Sequence, residues 1–209
     1  MFDFIIHNAL VYNGLNEKPI HTDVAIQGDQ IAAIEPNLPK TACKHWIDAT
    51  GLLLTPGLID PHASTGLGYY FPEAATHKLY QGITTEIIGN CGTSTAPVGE
   101  HLVATMKDIA QDMGFEFNWR SLQDYFDSLN GKLPFNIGTL LGHSTLRKGY
   151  LSNWHEPSEL GMKQMKLALS EALDEGGLGM STGLIYAPGC FAKTEEIIEL
   201  AKICKTSST

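Results

Sequence analysis

Four apolar or small-residue runs, at residues 58–62, 84–90, 135–141 and 178–181, are separated by stretches of helical periodicity. This alternation limits the fold more than any other feature of the chain. Near-continuous apolar runs fit parallel strands buried on both faces. Helices are expected at 72–81, 100–112, 121–129 and 158–175, with a last one from Thr194 to the chain end. The helix at 158–175 is the clearest. Met162, Met165, Leu169, Ala172 and Leu173 recur at helical spacing behind a Ser158 N-cap, and Gly176-Gly177 stops it. Repeated strand–helix units predict an α/β fold with a parallel sheet and right-handed crossovers. An eight-unit barrel takes about 250 residues. The expectation is therefore either a compact four-stranded domain or about half a barrel.

Residues 1–56 read differently. Phe4 and Ile6, then Leu10 and Tyr12, suggest a first short strand pair. The segment DVAIQGDQIAAIEP reads as a hairpin about Gly28-Asp29, and WIDATGLLLTPG adds further strand. This gives a β-rich segment at 1–56 and a β/α segment at 57–209.

Composition removes several function classes. The formal charge is −9, and the only arginines are Arg120 and Arg147. Nucleic acid, whose phosphates call for clustered cations, is not an expected partner. No apolar stretch nears the roughly 20 residues of a membrane span. The opening MFDFIIHNALVYNG lacks a basic region and reads as a strand. Cys43, Cys91, Cys190 and Cys204 form no C-x-x-C pair, which argues against a zinc finger and fits a reducing, cytoplasmic setting. No dinucleotide fingerprint, phosphate loop or G-x-S-x-G elbow is present.

The candidate chemistry sits where the strands end. In LIDPHAST (58–65), Asp60, His62 and Ser64 share one strand face. His62 could hold a metal; it also fits a structural imidazole bonded to a nearby carbonyl. Ser64 stands where a second metal-binding histidine would be. GNCG (89–92) presents Cys91 between glycines, either as a thiolate ligand or as a small buried residue. GHSTLR (142–147) places His143 at the third strand end, to orient substrate or to cap and pack. STGLIYAPG (181–189) offers Ser181 at the mouth and Tyr186 on a Gly/Pro-bounded loop, either for a substrate carboxylate or for loop packing. Each signal is weak alone, but successive parallel strand ends are what a barrel-mouth site requires.

Taken together, TPGLIDPHAS, QGITTEIIGNCGTSTAPVG, LLGHSTLR and GGLGMSTGLIYAPGCFAKTEEIIELAK resemble the N-acyl-D-amino-acid deacylases of the amidohydrolase superfamily. The resemblance implies a metal-dependent (β/α)8 barrel, of which units one to four lie here. It also implies a small β-sandwich domain built from both chain ends, of which residues 1–56 are one part. It implies zinc as cofactor, and a small-molecule substrate, an N-acyl-D-amino acid, cleaved at its amide. On that basis Cys91 would be a zinc ligand, His62 the first histidine of an H-x-H pair, and Tyr186 a neighbour of the substrate carboxylate. The remaining histidine ligands and the catalytic aspartate would lie beyond Thr209. Two competing expectations are an amidohydrolase of dihydropyrimidinase-like or deacetylase-like specificity, and a non-catalytic binding or scaffold relative.

Overall fold

The computed structural model describes residues 1–15 and 17–206. Two compact units are present, Met1–Gly57 and Leu58–Thr209.

The first unit is a five-stranded sheet. Strand β1 (Phe2–Val11) pairs antiparallel with β2 (Ile20–Gln27), which pairs antiparallel with β3 (Gln30–Glu35). The Gly28-Asp29 hairpin forms as the sequence suggests, with Gly28 at φ +60° supplying the left-handed turn residue. On its other side β1 pairs in parallel with β4 (Cys43–Asp48) and β5 (Leu53–Leu54). The short strand pair expected within residues 4–12 is a single strand. Its apolar period breaks at Asn8 because a bulge shifts the register there, with Asn8 at φ +55°. The Asn8 N–H is then held by Asp23 Oδ1 at 2.8 Å.

The second unit carries the β/α alternation. Strands β6 (Leu58–Asp60), β7 (Ile83–Ile88) and β8 (Asn136–Thr139) run parallel in that order. Strands β9 (Leu141–Gly142) and β10 (Met180–Ser181) form a second parallel pair. Backbone bonds from Leu140 to Ile88 and from Leu178 to Thr139 carry the pairing across the short gap at Leu140. The four predicted runs are therefore parallel neighbours in chain order.

The helices are α1 (Pro72–Leu79), α2 (Val103–Met113), α3 (Leu122–Leu129), α4 (His143–Tyr150), α5 (Glu159–Asp174) and α6 (Thr194–Thr206). Ser121 opens α3 with a reciprocal capping box to Asp124, and the Ser158 hydroxyl caps α5 through the Gly161 N–H at 3.1 Å. Met165, Leu169 and Ala172 of α5 are buried as the periodicity requires. They join a core that includes Trp119, Leu122, Tyr125, Leu141, Leu146 and Leu200. Helix α4 is the element that the periodicity misses. GHSTLRKGY carries Ser, Thr and Gly, poor helix formers, and only burial of almost its whole first turn and a half makes it helical. No helix among the described residues is long and apolar enough to cross a membrane.

Candidate metal centre

Cys91 and His62 come together at the ends of β7 and β6. The Cys91 Sγ lies 3.3 Å from His62 Nε2. Ligand bonds of about 2.3 Å for sulfur and 2.05 Å for nitrogen put two tetrahedral zinc ligands about 3.6 Å apart. The pair therefore needs to open by only a few tenths of an ångström to grip one ion. A thiolate and an imidazole are also donors that suit zinc. Among the described residues, no group of three or more His, Cys, Asp and Glu side chains is arranged to hold a metal. Two donors are half the number that a tetrahedral zinc site takes.

The backbone that presents Cys91 is unusual. Cys91 itself is left-handed at φ +55°, between Gly89 at +78° and Gly92 at +76°. A non-glycine residue holds that conformation only where its surroundings impose it. Here the constraint comes from all sides. The Asn90 amide donates to the carbonyls of Ala63 at 3.3 Å and Ile87 at 2.9 Å, tying the loop to the turn that carries His62. The Gly92 carbonyl accepts the Ser144 N–H at 2.8 Å and the Thr145 N–H at 3.3 Å, so the start of α4 grips it. Thr145 Oγ1 also accepts the Ser94 N–H at 2.9 Å and donates to the Ser94 carbonyl at 3.1 Å.

Ser181 closes the loop from β10. Its hydroxyl accepts the Gly92 N–H at 3.0 Å and donates to the Gly89 carbonyl. Both of its bonds go to backbone, so it positions the Cys91 loop and is not presented to a ligand, contrary to the mouth position the sequence suggests.

A cavity of about 1250 Å³ opens beside Cys91, lined among others by Ser64, Ser144, Lys148 and Tyr186. Tyr186 is 60 % exposed and stands on the cavity wall. His143 is not among the lining residues. It is fully buried at the head of α4, and its Nε2 lies 2.7 Å from Glu196 Oε1 on α6. Arg147 pairs with the other Glu196 oxygen. Burial pushes the Glu196 carboxyl up, but His143 and Arg147 outweigh it and hold the carboxyl below the usual range. His143 thus joins a buried network that ties α4 to α6, the capping-and-packing role rather than an orienting one.

Sequence reasoning passed over Asn90, Ser94 and Thr145, whose contacts are to backbone. It also passed over Glu86, though a carboxylate in the middle of an apolar strand run is itself a signal.

No family model matches the chain. A D-aminoacylase of Alcaligenes xylosoxydans xylosoxydans is 32% identical over 203 residues, covering 96% of this chain and 42% of the relative. A solved D-aminoacylase, described with a binuclear metal center, one-metal activation and second-metal attenuation, matches at TM-score 0.85 and 32% identity. It covers 99% of this chain and 44% of that one. An N-acyl-D-glutamate deacylase of Bordetella bronchiseptica, complexed with zinc and a phosphonate mimic of the tetrahedral intermediate, matches at TM-score 0.83 and 30% identity, covering 98% and 43%. The chain thus spans about two fifths of the length of the relatives it matches.

Proposed function

We infer that this chain, related over 96% of its length to the N-acyl-D-amino-acid deacylases of the amidohydrolase superfamily, supplies the first four units of a (β/α)8 barrel hydrolase. Its reaction is hydrolysis of the amide of an N-acyl-D-amino acid, with zinc as cofactor. The observation that carries the reading is the 3.3 Å approach of Cys91 Sγ to His62 Nε2 at adjacent strand ends.

The chain's own residues divide the work. Cys91 and His62 would hold the ion. The Asn90, Ser181 and Ser144 contacts keep the Cys91 loop rigid, so that little order has to be created when a ligand binds. Tyr186 would donate its hydroxyl to the substrate carboxylate. Ser64 offers a neutral hydroxyl where a second histidine would serve better, which favours one ion over two. Zinc, when bound, would polarise the scissile carbonyl and lower the pKa of a bound water to about 7.

The test is metal content followed by turnover. Purified protein should carry zinc, and Cys91→Ser should lose it. N-acyl-D-methionine or N-acyl-D-glutamate should be cleaved in preference to cyclic ureides. Zinc content unchanged in Cys91→Ser would overturn the assignment of that ligand. A second reading, a metal-holding module without turnover, draws on the two-donor count among the described residues. Stoichiometric zinc with no cleavage of either substrate class would favour it.

A further inference from the structure

The turn that carries His62 and Ser64 is fastened on both flanks to one cluster of three charges, of which Glu86 is fully buried and Asp60 and Lys78 partly so. Glu86 on β7 is fully buried and sits opposite Asp60 of β6 in the strand register. Lys78, from α1, reaches both carboxylates, Asp60 Oδ2 at 2.6 Å and Glu86 Oε1 at 3.0 Å. The other Asp60 oxygen accepts the His62 backbone N–H at 3.2 Å. The other Glu86 oxygen accepts the Thr65 hydroxyl at 2.9 Å and the Tyr69 hydroxyl. Asp60 thus holds the chain at His62, and Glu86 holds it just after Ser64.

Electrostatics makes the three charges interdependent. Lys78 holds the Asp60 carboxyl below its usual range, and the two carboxylates together raise the Lys78 ammonium. Burial, reinforced by Glu86, pushes the Tyr69 phenol up, so it remains a donor. A buried ion pair adds little net stability over an apolar substitute, but its directional bonds fix geometry.

We propose that Lys78 and Glu86 are positioning residues that clamp the 62–65 turn against the Cys91 loop and so set the separation of the two metal-binding side chains. The consequence for metal rests on the zinc reading above; the clamp rests on the geometry alone.

The experiment uses the whole chain in two states. In metal-free protein, hydrogen exchange is followed by mass spectrometry in peptides covering residues 61–71. Cobalt(II) is then titrated, with the thiolate-to-cobalt charge-transfer band reporting Cys91. In Glu86→Gln and Lys78→Met, exchange at the turn should quicken by about tenfold or more, and cobalt binding should weaken by a similar factor. The thiolate band should persist at saturation, and Lys78→Arg should restore both readouts towards wild type. If Glu86→Gln does not fold, the double variant Thr65→Val, Tyr69→Phe removes the turn's hydroxyls and is judged by the same readouts. Wild-type exchange in folded variants overturns the clamp. A wild-type chain that takes up no cobalt sinks the zinc reading instead, and the clamp then stands or falls on exchange.

Discussion

Ser181→Ala removes one oxygen and isolates two backbone groups. The hydroxyl is held between the Gly92 N–H and the Gly89 carbonyl, the residues on either side of Asn90-Cys91. Both glycines are buried, so water does not readily replace the lost partner. A hydrogen bond is worth about 1 kcal/mol net, and a buried group left without one costs about 1–3 kcal/mol. Two such groups put the loss at about 2–6 kcal/mol. The grip of α4 on the Gly92 carbonyl survives, so the loss is local and the unit still folds. For a chain of this size, about 2–4 °C is lost per kcal/mol, giving a fall in Tm of roughly 4–24 °C. A thermal melt by circular dichroism measures that fall. Alkylation of Cys91, followed by peptide mapping, should quicken at the same time, and Ser181→Thr should retain most of both properties. A melt within about 1 °C of wild type, with unchanged Cys91 alkylation, would show that the loop does not depend on this clasp.

Gly89→Ala should be more damaging, because a Cβ there would lie 1.9 Å from the Leu140 carbonyl oxygen in a backbone already at φ +78°. A loss of more than about 3 kcal/mol is expected, read from the urea midpoint. Trp119→Ala should cost about 3–5 kcal/mol by the same assay, since the ring is fully buried and stacks on Tyr70 and Phe115 at centroid distances of 5.1 and 5.9 Å. Glu196→Gln leaves Arg147 buried with half its partner, and a loss of about 3–5 kcal/mol at neutral pH is expected from chemical denaturation. The folded-state pKa of Glu196 is depressed, so its contribution is present above the unfolded carboxylate value of about 4.3 and is lost as pH falls through the folded value. Wild-type stability should therefore decline across that acid range, and the Glu196→Gln profile should be flatter there.

The strand ends were readable because apolar and small-residue runs mark the strands, and the glycines around Cys91 advertise a tight turn. That was enough to bring Cys91, His62 and Tyr186 to one region from sequence alone. His143 and Ser181 share the same placement at strand ends, yet His143 Nε2 is taken by Glu196 and the Ser181 hydroxyl by backbone. Position along a strand is local information, whereas the Glu196 that occupies His143 lies 53 residues away. Helix α4 was hidden for a related reason: its helicity comes from packing, against weak intrinsic preference. The bulge in β1 has a local cause, Asn8 in a left-handed conformation, but its anchor, Asp23, comes from the neighbouring strand. Lys78 left no trace in the pattern, since a lysine on a helix next to a strand normally faces water.

The bond from Gly92 to Ser181 joins residues 89 positions apart. At synthesis rates of about 5–20 residues per second, the nascent chain carries Cys91 for roughly 4–18 s before Ser181 even exists. Throughout that interval the backbone on either side of Cys91 lacks the clasp that holds it. For this loop, the order in which the ribosome delivers residues sets a window of backbone freedom. That window should lengthen with slow translation and close once the fourth strand has docked.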